Sequence, residues 1–435
     1  MATLAQITLW GRIIGAVSLD DANGYAAFQY TPEFARSGIE VAPIVMPLSD
    51  RVYVFTELAR NTFLGLPGLV ADSLPDKFGN ALIDAWLATQ GRAPGSFNAV
   101  ERLCYTGTRG MGALEFVPGI GPRQRVAQTI EIDALVRLAS EVLSHRDDLK
   151  TTFAQAGKAA ALRDILRVGT SAGGARAKAV IAWNRDTHEV RSGQIAAGDG
   201  FDYWLLKFDG VAGNKDKELD DPTGYGAIEY AYSLMAKAAG ITMSECRLLE
   251  ENDRRHFMTR RFDRLQHGEK LHMQSLCAMA HYDFNLAGAY AYEQAFMVMR
   301  QLKLPMAATE ELFRRMAFNI IARNQDDHVK NIAFLMNKAG QWSLAPAFDM
   351  TYSYNPNGAW TSTHQMTMNG KRDAFTLDDF RACGKSAMMK RGRAEKIVEE
   401  VRAAVSKWLD FAERANVMDN WREPIQRHLR LDLTL

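Results

Sequence analysis

The sequence predicts an α+β fold, and three observations carry that reading. Strand-like signals recur among helices in the first 265 residues: β-branched and aromatic runs, Gly turns and an Asn23-Gly24 hairpin signal. From Asp283 onward the apolar residues recur at spacings of three and four, the helical period. Between residues 149 and 161 a polar, Ala-rich stretch separates two β-containing regions. The expected division is therefore 1–148, 149–265 and 266–435.

Composition limits what such a chain does. At 435 residues with 47% hydrophobic and 24% charged residues, it can bury the cores of two or three domains. A formal net charge of +1 supplies no global field for nucleic acid or anionic lipid, so contact with DNA is expected only through a partner. Cys104, Cys246, Cys277 and Cys383 are scattered without a close pair, which fits neither a disulfide framework nor a zinc site and points to a reducing, cytoplasmic setting. No leader pattern opens the chain, and no apolar run is long enough to span a bilayer, so no membrane partner is expected.

In chain order, residues 7–15 and 26–30 read as strands around Gly turns. Residues 80–89 read as a helix, with Leu82, Ile83, Trp86 and Leu87 at helical spacing. Asp72 and Asp76 precede it and read as turn and helix-start carboxylates that accept backbone N–H groups. A Gly-rich segment over 106–121 and a helix over 132–143 complete the first region.

The second region opens on Gly169-Thr170-Ser171-Ala172-Gly173-Gly174-Ala175-Arg176-Ala177-Lys178, ahead of the strand-like 179–183. Glycines here would let backbone N–H groups approach phosphate oxygens, and Arg176 or Lys178 could add charge; taken alone, the segment reads by default as a plain Gly-rich loop between strands. The Walker pattern is absent. Lys207 lies inside the apolar run 203–208, where it either snorkels to solvent or meets an anionic partner. Glu229 begins the helix expected over 225–239 and is the partner such a lysine has in a kinase N-lobe. Residues 257–264 form a strand that breaks into charge, suited to a hinge that meets a purine through backbone groups.

The helical region, read as helices over 290–302, 309–322 and 394–414, holds Arg323-Asn324-Gln325-Asp326-Asp327-His328-Val329-Lys330-Asn331. A carboxylate at Asp326 and a carboxamide at Asn331, five positions on, have the spacing of a phosphotransferase loop in which Asp takes the hydroxyl proton and Asn holds magnesium. Asp and Asn at that density also form solvated turns. Eighteen residues after Asn331, Asp349 closes Leu344-Ala345-Pro346-Ala347-Phe348-Asp349 and offers a second hard oxygen ligand. Only Asp326, not Asp327, lies five before Asn331.

With these motifs in this order, the chain resembles the HipA family, the serine/threonine-kinase toxins of bacterial HipBA toxin–antitoxin modules. The resemblance runs over nearly the whole length, from Ala71-Asp72-Ser73-Leu74-Pro75-Asp76 through 171–178, Leu206-Lys207 and Arg261-Phe262-Asp263-Arg264 to 326–331 and 344–349. It implies a protein-kinase-like two-lobed fold, with a β-rich N-terminal subdomain and an all-α C-lobe. It implies that Asp326 is the catalytic base, that Asn331 and Asp349 hold Mg2+, and that Lys207 meets the ATP phosphates. Ser171, Ala172, Gly173, Gly174 and Lys178 would form the phosphate loop, Arg260 and Phe262 the adenine hinge, and His328 and Lys330 further nucleotide contacts. Ser171 takes the place of the family's autophosphorylated serine.

The implied partners are a HipB-like helix-turn-helix antitoxin and a protein substrate, by analogy an aminoacyl-tRNA synthetase. The chain departs from many relatives at His272-Met273-Gln274-Ser275, where they read His-Gln-Glu-Asp. Two other readings stand beside the kinase: a small-molecule phosphotransferase, and an antitoxin-docking corepressor with weak kinase activity.

Overall fold

The computed structural model describes residues 3–20, 22–121, 129–144, 176–211, 223–265 and 268–433. These fall into two compact units: residues 1–223, 247–274 and 336–340, and residues 224–246, 275–335 and 341–435. The join expected at 149–161 lies outside the described residues.

The first unit begins with a four-stranded antiparallel sheet. Thr3–Leu9 pairs with both Arg12–Leu19 and Leu114–Val117, and Ala26–Tyr30 adds the outer strand beyond Arg12–Leu19. Alternation sets its faces: Ala5, Ile7 and Leu9 are buried while Leu4 and Gln6 are exposed. The hairpin turns at Trp10-Gly11, both with positive φ, the geometry whose twist matches paired strands. Asp76 caps the helix Lys77–Thr89 by accepting the Gly79 N–H at 2.6 Å, the helix-start role expected of it.

A second sheet of five strands runs in the order Val190–Ser192, Lys178–Asn184, Phe201–Lys207, Arg254–Arg260, Cys246–Glu251. Its strand Lys178–Asn184 is buried on both faces over six of seven residues. Ile181, Trp183, Trp204 and Leu206 share one core with Phe78, Leu82 and Ile83 of Lys77–Thr89 and with Val136 and Leu143 of Ile132–Ser144. Burying a residue such as Leu or Phe contributes roughly 1.5–3 kcal/mol, so these two helices bind strongly to the sheet.

The second unit is built mainly of helices: Tyr225–Ala238, Tyr292–Gln301, Met306–Ile321, Leu377–Ser386, Arg393–Val405, Trp408–Arg414 and Asp419–His428. Tyr232 and Trp408 are fully buried and meet edge to face with ring centres 5.2 Å apart, and the Tyr232 hydroxyl donates to the Ala322 carbonyl at 2.7 Å. The single helix expected over 394–414 is two, because the chain breaks at Ser406-Lys407 and restarts at Trp408, whose indole N–H is held by the Arg422 carbonyl at 3.0 Å. Two short strands, Ala333–Met336 and Trp342–Leu344, pair within this region. No helix among the described residues is long and apolar enough to cross a membrane.

Candidate active site

The helix Met306–Ile321 sets the site. Its apolar stripe of Leu312, Phe313, Met316, Ile320 and Ile321 is buried, so its C-terminal end is fixed in the core. The chain then reverses at Arg323, which takes a left-handed φ of 59°, unfavourable for a side chain with a Cβ. Three contacts hold it there: its Nε donates to the His428 carbonyl at 2.7 Å, Nη1 donates to Gln325 Oε1 at 3.0 Å, and the guanidinium lies 4.4 Å from the Tyr354 ring centre.

The two adjacent carboxylates after this reversal have different surroundings. Asp327 is 3% exposed and accepts three hydrogen bonds, from the Tyr292 hydroxyl at 2.8 Å, His364 Nδ1 at 2.9 Å and the Gln365 N–H at 2.8 Å. Burial alone raises a carboxyl pKa, but His364 and these donors outweigh it, and Asp327 is held below the ordinary carboxylate value. His364 Nε2 sits 2.9 Å from Arg430 Nη1, a group that only donates, so Nδ1 carries the proton that faces Asp327. Arg430 also donates to the Ile320 carbonyl at 3.2 Å, and burial beside Arg323 brings its guanidinium down to about 10.

Asp326 turns the other way. Its side chain is 42% exposed, its Oδ1 accepts the Trp360 Nε1–H at 2.7 Å, and His328 Nε2 lies 3.8 Å from the same oxygen. Asn331 donates Nδ2 to the Asp326 carbonyl at 2.9 Å, which fixes the amide and presents its oxygen on the opposite side. Asn331 and Asp349 line one pocket together with Asn324, Asp327 and His328. Asp349 also has a left-handed φ, of 57°, and its carbonyl accepts Asn324 Nδ2 at 3.5 Å. A carboxamide oxygen and a carboxylate are hard donors that suit magnesium and leave most of its shell to water or phosphate. Among the described residues no group of three or more His, Cys, Asp or Glu side chains is placed to hold a metal. His328 and Lys330 flank Phe284, with ring centres 5.6 Å apart for the histidine and the ammonium 5.0 Å from the ring.

In the first unit, Lys178 and Lys207 are cross-strand partners, and both are buried, at 2% and 6% exposure. Lys178 Nζ lies 3.2 Å from Asp76 Oδ2, so one carboxylate both caps a helix and neutralises this lysine. Lys207 Nζ lies 5.7 Å from the Phe257 ring centre. Arg260 is exposed and paired with Asp202 at 2.6 Å, while Phe262 is half-buried. Ser171, Ala172, Gly173 and Gly174 lie outside the described residues. Glu229 belongs to the second unit, where it is 1% exposed.

Sequence reading assigns no partner to the charges of Arg261, Asp263 and Arg264. Asp263 is fully buried and accepts from Arg261 Nη2 at 2.6 Å, Arg264 Nη1 at 2.7 Å and the Gly112 N–H at 2.7 Å. Arg264 in turn donates to the carbonyls of Gly110 and Gly112. The segment after the strand Arg254–Arg260 is thereby tied to the Gly-rich loop at 110–112. The alternating charges Arg261, Asp263 and Arg264 were the available signal.

Two family descriptions match the chain: the HipA N-terminal domain over residues 5–117 and the HipA-like C-terminal domain over residues 170–408. No curated protein matches it. Among solved structures, it aligns over 98% of its length with 94% of a chain from the Shewanella oneidensis MR-1 toxin–antitoxin complex of HipA, HipB and operator DNA, at 17% identity and a TM-score of 0.66. At that identity the likeness is one of fold. The Helicobacter pylori proinflammatory kinase CtkA aligns at 12% identity and a TM-score of 0.31, over 49% of this chain and 91% of that one.

Proposed function

The chain belongs to the HipA family, and from that premise we propose that it is an ATP-dependent serine/threonine protein kinase, the growth-arresting toxin of a toxin–antitoxin pair. The observation that carries the reading is the sorting of two adjacent carboxylates: Asp327 is spent on three buried donors, while the Asp326 side chain is 42% exposed, five residues before Asn331, which lines a pocket with Asp349. Asp326 accepts the proton of the incoming hydroxyl. Asn331 and Asp349 would hold a magnesium ion, which when bound would neutralise charge on the nucleotide phosphates. Lys207 places positive charge for the ATP phosphates from its strand, with Ser171, Ala172, Gly173 and Gly174 as the phosphate loop; Lys178, neutralised by Asp76, supports the strand that follows this loop. Backbone groups from Arg260 to Phe262 receive the adenine, and His328 and Lys330 steady the loop.

The reading extends to further parts. The division into 1–148, 149–265 and 266–435 follows the family's subdomain, N-lobe and C-lobe. Ser171 is the autophosphorylation site; a phosphate adds up to about two negative charges and cannot share a pocket made for those of ATP. The solved HipA complex supports a HipB-like helix-turn-helix antitoxin as partner, and the near-neutral charge leaves operator contact mostly to it. The target is a protein of the cytoplasm, with an aminoacyl-tRNA synthetase the leading class.

The test is to incubate the purified chain with magnesium and labelled ATP, alone and with cell lysate, and to locate the phosphate by mass spectrometry. Label on Ser171 and on one dominant lysate protein is expected. No incorporation in either case, with ATP still bound, would replace the kinase by a docking protein.

A further inference from the structure

The reading above leaves open what kind of hydroxyl Asp326 receives, and a tryptophan at the carboxylate bears on it. Trp360 Nε1 donates to Asp326 Oδ1 at 2.7 Å. An indole N–H is a donor only, so this bond sets the rotation of the carboxylate about its last torsion. The indole itself has little freedom, because residues 360–365 are bound to the catalytic loop. Gln325 Nε2 donates to the Thr361 carbonyl at 3.0 Å, Gln365 Nε2 donates to the Gln325 carbonyl at 3.3 Å, and the Gln365 N–H donates to Asp327 Oδ1 at 2.8 Å. Gln365 Nε2 also reaches the carbonyls of Trp360 and Thr363. Trp360 is half-buried, so part of the indole that holds Asp326 Oδ1 reaches solvent.

The surrounding stretch has a second property. Residues 350–370 contain no Asp, Glu, Lys or Arg, in a chain that is 24% charged. Its one ionisable imidazole, His364, is fully buried. Pro356, Asn357 and Ala359 are exposed, and Tyr354, Trp360, Thr361 and Ser362 are half-buried. The stretch itself offers a charged acceptor segment no ion pair, whereas an apolar side chain beside the hydroxyl would bury area on the indole.

We propose that Trp360 is a positioning and specificity-determining residue of phosphoryl transfer: its N–H orients Asp326, and its ring selects a hydroxyl on an uncharged, apolar-flanked protein segment. In the step it serves, the acceptor oxygen bonds the γ-phosphorus as the bond to the β–γ bridging oxygen breaks. The hydroxyl proton passes to Asp326, and ADP leaves with the bridging electron pair. The proposal rests on the kinase reading, and its test separates the two.

The full-length chain, Trp360→Phe and Trp360→Ala are assayed with ATP and magnesium on a degenerate serine/threonine peptide mixture, with ATP turnover and urea unfolding followed in parallel. The parent should favour uncharged flanks with an apolar neighbour. Trp360→Phe keeps the ring and loses the donor, so kcat should fall about tenfold or more with acceptor KM unchanged. Trp360→Ala should also raise acceptor KM and flatten the flank preference. A parent that turns over no ATP removes the kinase reading and this proposal together. A parent that turns over ATP but selects acidic or basic flanks removes the proposal alone, as do folded variants that both keep the parental kcat and preference.

Discussion

Replacing Asp327 by asparagine tests which of two neighbouring carboxylates is structural. Asparagine keeps one acceptor oxygen, which the Gln365 N–H can retain, and places an NH2 where the Tyr292 hydroxyl and His364 Nδ1 both donate. Tyr292 can rotate, but its oxygen already accepts from Asn319 Nδ2 at 3.0 Å. His364 can shift its proton to Nε2, but that nitrogen then faces the Arg430 guanidinium, donor against donor. At least two charge-assisted hydrogen bonds are lost, each worth about 1.5–3 kcal/mol, and breaking a buried pair commonly costs about 3–5 kcal/mol. We expect a loss of about 3–5 kcal/mol in urea unfolding, read from helical circular dichroism. Because the folded carboxyl lies below its ordinary value near 3.8, the parental network is fully present above pH 4 and is lost as pH falls below it; the variant should lack this acid limb. Parental stability in the variant would refute the network. A well-folded Asp327→Asn that loses more phosphoryl transfer than Asp326→Asn would reverse the roles of the two residues.

Asp326→Asn and Asp349→Ala should each lower kcat by about 10²–10³ or more while urea midpoints stay close to the parent's, because Asp349 lines the pocket and the Asp326 side chain is half-exposed; transfer at the parental rate would remove their assigned roles. Asp76→Asn keeps the helix cap but strips Lys178 of its carboxylate, so it should cost up to about 3 kcal/mol, and Asp76→Ala about 1 kcal/mol more; equal losses would mean that the cap contributes nothing. His256 and His272 are fully buried, and burial lowers each to about 4. Both are neutral in either state above pH 6.5, and below it the unfolded chain alone takes up protons. Stability should therefore fall by ~1.4 kcal/mol per pH unit per histidine between pH 6.5 and 4, and a flat urea midpoint from pH 7 to 5 would contradict their burial.

Local chemistry was legible in the sequence, and long-range partnership was not. Asp76 as a helix start follows from a carboxylate ahead of an amphipathic run, and the cap is there. Spacing to Asn331 separated Asp326 from Asp327, and the geometry gives the two residues distinct surroundings. The donor to Asp326 is Trp360, 34 residues on, in a stretch with no helical or strand period to mark it. Asp263 reaches Gly112 across 151 residues, and no local pattern encodes that bond. The break in the helix expected over 394–414 depends on where the Trp408 indole finds a carbonyl, which periodicity does not register.

The anchoring of the 323–331 loop by residues far downstream has a consequence for synthesis. Arg323 leans on the His428 carbonyl 105 residues later, and His364 on Arg430. At the usual ~5–20 residues per second, a ribosome needs on the order of 5–20 s to move from the loop to its supports. From Met350 onward the nascent chain carries every residue of the pocket lined by Asn331 and Asp349, still without the contacts of His428 and Arg430. If the proposed kinase reading holds, the chain is inactive for those seconds of its own synthesis, and a co-translated antitoxin could meet it before the loop is set.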